Sequence, residues 1–123
     1  MKTKYLGIDT SNYTSSCAVY NAETNTMDSR KQLLPVASGQ MGLRQSDAVF
    51  HHTKNLPPLL SSICKVHNDG ISVVSASYAP RDIDGSYMPC FSVGEGYAEV
   101  LSSVLNAKQY SFSHQAGHIA AAL

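Results

Sequence analysis

The chain has 123 residues, 43% of them apolar and 15% charged, with a formal net charge of zero. This composition supports one domain with one core and excludes a disordered chain. The balanced charge excludes strong nucleic-acid binding by this chain alone, which needs a basic face, so an RNA partner would have to be read mostly elsewhere.

Three cysteines, Cys17, Cys64 and Cys90, lie far apart and form no CxxC pair. An odd, scattered set does not describe a disulfide framework, and a reducing cytoplasm is the expected location. The first residues are a short basic tip followed at once by a strand pattern, with no long apolar stretch of signal-peptide type. No apolar run reaches membrane-spanning length, so no membrane partner is expected.

In chain order, Tyr5 to Asp9 is a short apolar run ending in a carboxylate, which predicts a buried strand with a polar C-terminal end. Thr14 to Tyr20 alternates, with Cys17 and Val19 on one face and Ala18 and Tyr20 on the other. Turn formers from Asn21 to Asn25 predict an antiparallel return over Thr26 to Leu34. Loop follows to Gly42. A helix is then expected with Ser46 as its N-cap and Val49, Phe50, Thr53, Leu56, Leu60 and Ile63 at helical spacing. Pro57 and Pro58 predict a kink or two abutting helices. His51, His52, Lys54 and Asn55 read as a solvated helix face, and His67 as a surface residue.

Ile71 to Tyr78 is a β-branched strand, and Ala79 to Tyr87 a polar loop. Phe91, Tyr97, Val100, Leu101, Val104 and Leu105 describe an amphipathic helix. Gly94 and Gly96 weaken that helix and make sense where a strand or ligand packs closely. Gln109 to Ser113 is a short strand, and His114 opens a last helix. The order β-β-β-α-β-α-β-α predicts an α/β fold. Its form is a ribonuclease-H-like mixed five-stranded sheet with helices on both faces, one lobe of an actin-like ATPase fold. The last segment runs apolar to Leu123 with no C-cap, so the chain reads as a piece of a longer protein, residues 1–123 forming one lobe.

Two constellations could carry chemistry. His114 and His118 are four apart and share a helix face, close enough to chelate one ion. Spacing alone slightly favours a structural pair, because catalytic metal sites usually take three protein ligands. Placement at a strand C-terminus moves the balance toward ligands. Asp9, Ser11 and Asn12 lie at the first hairpin, where a carboxylate, hydroxyls and backbone N–H groups suit phosphate or a phosphate-bound metal. A hydrogen-bonded hairpin turn explains the same residues.

Together these stretches resemble the glycoprotease family, once described as O-sialoglycoprotein endopeptidase and including the TsaD-type enzymes of tRNA threonylcarbamoyladenosine synthesis. The matching pieces are Leu6-Gly7-Ile8-Asp9-Thr10-Ser11, the run from Ala48 to Leu60, Val93-Gly94-Glu95-Gly96-Tyr97-Ala98, and Ser113-His114-Gln115-Ala116-Gly117-His118-Ile119. They span nearly the whole chain in the family's order.

The resemblance implies that His114 and His118 are two ligands of a divalent metal (iron, zinc or magnesium). It implies that Asp9, Ser11 and Asn12 border a cleft for ATP or a threonylcarbamoyl-adenylate, completed by a second, C-terminal lobe. The resemblance implies that the metal would polarise the threonylcarbamoyl group while an adenosine amine of tRNA attacks and AMP leaves. Two stretches depart from the family pattern. Asp9 to Ser15 stands where the family has Glu-Thr-Ser-Cys-Asp-Glu-Thr, and Ala79 to Gly85 replaces its Gly-Pro-Gly-Leu loop.

Two functions are therefore expected. The first is the N-terminal lobe of a metal-dependent threonylcarbamoyltransferase-like protein, which the His114/His118 pair favours. The second is a non-catalytic TsaB-like scaffold of the same fold, pairing as a homo- or heterodimer through its N-terminal lobe, which the altered loop favours. A metallopeptidase ranks last, since no Glu beside His114 supplies the general base.

Overall fold

Alternating apolar and polar residues over the first 33 positions build a meander of three antiparallel strands, β1 (Lys4–Ser11), β2 (Thr14–Asn21) and β3 (Thr26–Leu33). The computed structural model describes residues 2–11, 13–35, 44–80 and 88–114. Helix α1 (Gln45–Val66) leads to β4 (Ile71–Ala79), and α2 (Phe91–Leu105) leads to β5 (Lys108–Ser113). The sheet order is β3-β2-β1-β4-β5. β4 joins β1 in parallel and β5 joins β4 in parallel. This is the expected mixed five-stranded sheet.

Register decides which face is buried. Leu6 pairs with Val19 and Val74, and Ile8 with Cys17 and Ala76, so one face of the three central strands is apolar. Both helices of the described residues cover that face, α1 over β2 and β3, α2 over β4, β1 and β5, where the sequence predicts helices on both faces. Leu56, Leu60 and Ile63 of α1 and Ala98 of α2 complete the core. The helix expected after His114 lies outside the described residues. On β3, Asp28 and Arg30 take the place of apolar residues, and α1 satisfies them. Arg30 Nε donates to Ser62 Oγ at 3.0 Å, and His67 Nε2 lies 2.9 Å from Asp28 Oδ2. His67, expected at the surface, is thus half-buried and bonded across the layer. The Arg30 guanidinium, and after it His67, hold the Asp28 carboxyl below its ordinary range.

α1 differs from expectation in two ways. It runs unbroken through Pro57 and Pro58, and its N-cap is Arg44 with no side-chain cap bond. The prolines leave the carbonyls of Thr53 and Lys54 without their helical donors. Both residues are exposed, so water can satisfy them. Leu56 and Leu60, buried on either side of the prolines, anchor both halves to one sheet.

α2 departs more instructively. Its sheet-facing positions are Phe91, Gly94, Ala98 and Ser102. Three of these are small and recur every four residues, so the helix axis lies close to the sheet. Two valines are displaced outward, leaving Val100 59% and Val104 75% exposed. A Cβ on Gly94 would stand 3.0 Å from Thr10 Oγ1 and 3.2 Å from Ile8 Cγ2, whereas one on Gly96 would meet nothing within 4 Å. Close packing on a strand therefore accounts for Gly94 and not for Gly96.

Cys17 and Cys90 are buried, and burial pushes both thiols up to about 11. They serve as small apolar residues.

The two glycines give opposite expectations. Gly94→Ala should destabilise the fold by about 1–2 kcal/mol, overpacking outweighing the gain in helix propensity. Gly96→Ala should stabilise it by about 0.5–1 kcal/mol. Urea denaturation midpoints of the two variants against the parent check both signs.

Candidate functional site

The parallel strands β1, β4 and β5 end at one edge of the sheet, where ligand sites of open α/β sheets form. Three side chains meet there. Asp9, near the end of β1, points to the face that neither helix covers. Its Oδ1 accepts a hydrogen bond from Ser77 Oγ of β4 at 2.6 Å. Its Oδ2 accepts one from His114 Nδ1, just past β5, at 2.6 Å. A register shift between Ser77 and Ala79 interrupts the β4–β5 pairing at this level. Such an irregularity re-aims the side chains beside it. The carboxylate is 24% exposed and the imidazole 32%. They border an open depression of about 440 Å³ lined by Gly7, Ser16, Ala18, Lys31 and Phe112 among others.

The other face of the same hairpin carries a second polar arrangement, fully buried. Thr10 and Ser15 are cross-strand partners, both 0% exposed. Thr10 Oγ1 donates to the Cys90 carbonyl at 2.9 Å and accepts from Gly94 N–H at 3.2 Å, which fixes the start of α2. Ser15 Oγ lies 2.7 Å from His52 Nδ1, and His52 Nε2 lies 2.5 Å from the Ser11 carbonyl oxygen. A carbonyl can only accept, so Nε2 carries the proton and neutral Nδ1 accepts from the Ser15 hydroxyl. Burial, the largest influence, lowers the His52 pKa from its ordinary value, while the Ser11 carbonyl and Asp9 act against it. His52 is 0% exposed. This corrects the reading of it as part of a solvated face.

Asp9 and His114 are thus brought together across strands distant in sequence. Ser11 is held through its backbone, by a histidine that sequence reasoning did not select. The signal for His52 was present: Ala48, His52, Leu56 and Leu60 are spaced by four, and all are buried on α1. Asn12, His118 and the loop at 81–87 lie outside the described residues. Among the described residues no group of three or more His, Cys, Asp or Glu gathers as a metal site, and no helix is long and apolar enough to cross a membrane.

Asp9→Ala would remove the acceptor shared by Ser77 and His114. The expected cost is about 1–2 kcal/mol, since hydrogen bonds to a charged group are worth more than neutral ones but this pair is partly solvated. A denaturation midpoint equal to the parent's would show that the cluster contributes nothing to folding.

No family model matches the sequence, and no curated protein matches it. Solved structures do. YeaZ from Pseudomonas aeruginosa superposes with a TM-score of 0.61 at 15% identity, over 90% of this chain and 44% of its own. An uncharacterized protein with similarity to peptidase YEAZ from Pseudomonas aeruginosa gives the same TM-score and identity, over 90% and 43%. A Ppx/GppA family member from Aquifex aeolicus reaches 0.45 at 11% identity, over 91% and 35%. The chain spans less than half the length of the structures it matches. At these identities the likeness concerns the fold, and the fold is the mixed five-stranded α/β lobe of the actin-like ATPase class.

Proposed function

We propose that this chain is the pairing lobe of a TsaB-like, non-catalytic partner in a tRNA threonylcarbamoyladenosine system. One observation carries the reading: an apolar groove opens on the outer surface of the helix layer, where a solitary lobe would be polar. Val93, Gly96, Tyr97 and Val100 of α2 line a groove with Thr53 of α1. Phe50, 56% exposed, and Val104 extend the same helix layer's apolar exposure. Small residues line most of the inner side of α2 and Val100 and Val104 stand out from it, so the helix is apolar on two sides. Exposed apolar surface of this kind marks protein contacts.

The structural neighbours are YeaZ proteins, of the TsaB type, and the resemblance drawn from the sequence includes partners that pair through this lobe. The expected partner is a TsaD-type subunit presenting a similar helical face, with a second copy of this chain as the competing occupant.

One observation favours the enzymatic alternative. Metal-ligating histidines commonly donate their second ring N–H to a carboxylate, and His114 donates Nδ1–H to Asp9. In that reading His114, through Nε2, and His118 would hold a divalent metal. The metal would supply Lewis-acid polarisation of a threonylcarbamoyl group. Asp9 would then position the imidazole, with Ser77 fixing the carboxylate. ATP or an adenylate would belong with the second lobe.

Two experiments separate the readings. Sedimentation of the chain mixed with a TsaD-type protein should show a complex that Val100→Asp weakens at least about thirtyfold, as a charge at an apolar hot spot costs about 2 kcal/mol or more. Equal binding by a folded Val100→Asp variant would sink the pairing surface. Elemental analysis should find no stoichiometric metal. Metal bound by the parent and lost from His114→Ala/His118→Ala, with circular dichroism unchanged, would instead support the transferase reading.

A further inference from the structure

His52 stands outside both readings. It is a titratable side chain sealed between α1 and the β1–β2 hairpin, and it spans the hairpin from strand to strand. Nε2 reaches the Ser11 carbonyl at the end of β1, and Nδ1 reaches Ser15 near the start of β2. Ser11 closes β1 and Ser15 is the second residue of β2, so the ring bridges the closed end of the hairpin. We propose that His52 is a proton-sensitive latch that clamps the tip of the β1–β2 hairpin to α1 and releases it when the ring takes up a second proton.

The chemistry follows from which atoms can give a proton. Neutral His52 in the Nε2–H form makes both bonds at once. Protonation puts a hydrogen on Nδ1, which can no longer accept from Ser15. The Ser15 hydroxyl must then turn to accept, and its own hydrogen needs a new acceptor in a site closed to water. A charged ring there also lacks solvent. Two charged or titratable groups act on the ring. Asp9 of β1 favours the proton, and His51 of α1 opposes it. β2 faces the ring with the Ser15 hydroxyl alone among its bonded groups.

Burial is the largest influence, so the folded pKa lies below the ordinary 6.5. The sign is then fixed. The unfolded chain binds the proton more readily, so the latch's contribution is complete above about 6.5 and is lost as pH falls through the folded value. The loosening on acidification is expected at the closed end of the hairpin, where both ring bonds are made, and not in the core strands.

Ring 15N–1H spectra and amide exchange of the unmodified chain between pH 8 and 5 test this. At pH 7.5 His52 should show the neutral Nε2–H tautomer. Its titration midpoint should lie below the ordinary histidine value. Protection of the Ser11, Ser15 and Leu34 amides, the last bonded to the Tyr13 carbonyl, should drop about tenfold through that midpoint while Leu6, Ile8 and Val74 keep theirs. A charged ring or an Nδ1–H tautomer at pH 7.5, or tip protection that ignores the titration, would overturn the latch. In His52→Gln the pH dependence of the tip should vanish. Should that variant fail to fold, the titration of the parent decides by itself.

Discussion

One row of the β1–β2 hairpin holds the layer together. Thr10 and Ser15 sit opposite each other at the closed end of the hairpin, and each hydroxyl takes one helix. Thr10 ties the first turn of α2 through the Cys90 carbonyl and the Gly94 amide. Ser15 ties α1 through His52. Both hydroxyls are sealed from solvent, so an unmade bond there would cost the full desolvation of a buried polar group. None of the buried side-chain polar atoms among the described residues lacks a partner. The row therefore fixes where α2 starts and how α1 sits relative to the strand ends, in a way that apolar packing alone cannot.

Strand alternation carries that constraint to the opposite face. With Thr10 turned toward the helices, Asp9 must point the other way, toward the ends of β4 and β5. There it meets Ser77 and His114. The close seat of α2 follows from the same contact. Gly94 lies against Thr10 and Ile8, and Ala98 and Ser102 continue the small-residue line. Val100 and Val104 of α2 are turned outward, onto the surface proposed to meet a partner. Sheet-end cluster, buried clamp and apolar face are thus three consequences of one hairpin.

Much of the fold was legible in the sequence because its strands obey a period of two. Cys17 and Val19 against Ala18 and Tyr20 sorted as predicted, and the five strands appear within one or two residues of their expected limits. The helices were harder. On α1, adjacent His51 and His52 read as a hydrophilic pair, although His52 shares the four-residue spacing of Ala48, Leu56 and Leu60. Phe50, counted into the apolar stripe, lies at the surface instead. On α2, hydrophobicity pointed to Val100 and Val104 as the buried side, whereas depth against the sheet is set by small residues that such a pattern scores low. The prolines of α1 were read from local chain chemistry, and tertiary burial of Leu56 and Leu60 overrode it. At the site, Asp9 and His114 were each selectable from strand ends. That they meet through a carboxylate, with Ser77 behind it, depends on the order of the strands in space.

The assignment of this lobe as a partner rests on which surface is used. Hydrogen-exchange mass spectrometry of the chain, free and mixed with a TsaD-type subunit, tests that directly. Slower exchange is expected over α2 between Val93 and Val104 and over the outer turns of α1 near Phe50 and Thr53, with the strand ends around Asp9 and Ser77 unchanged. Protection confined to the strand ends, with the helix layer unaffected, would contradict it and return the site at Asp9 and His114 to the centre of the protein's function.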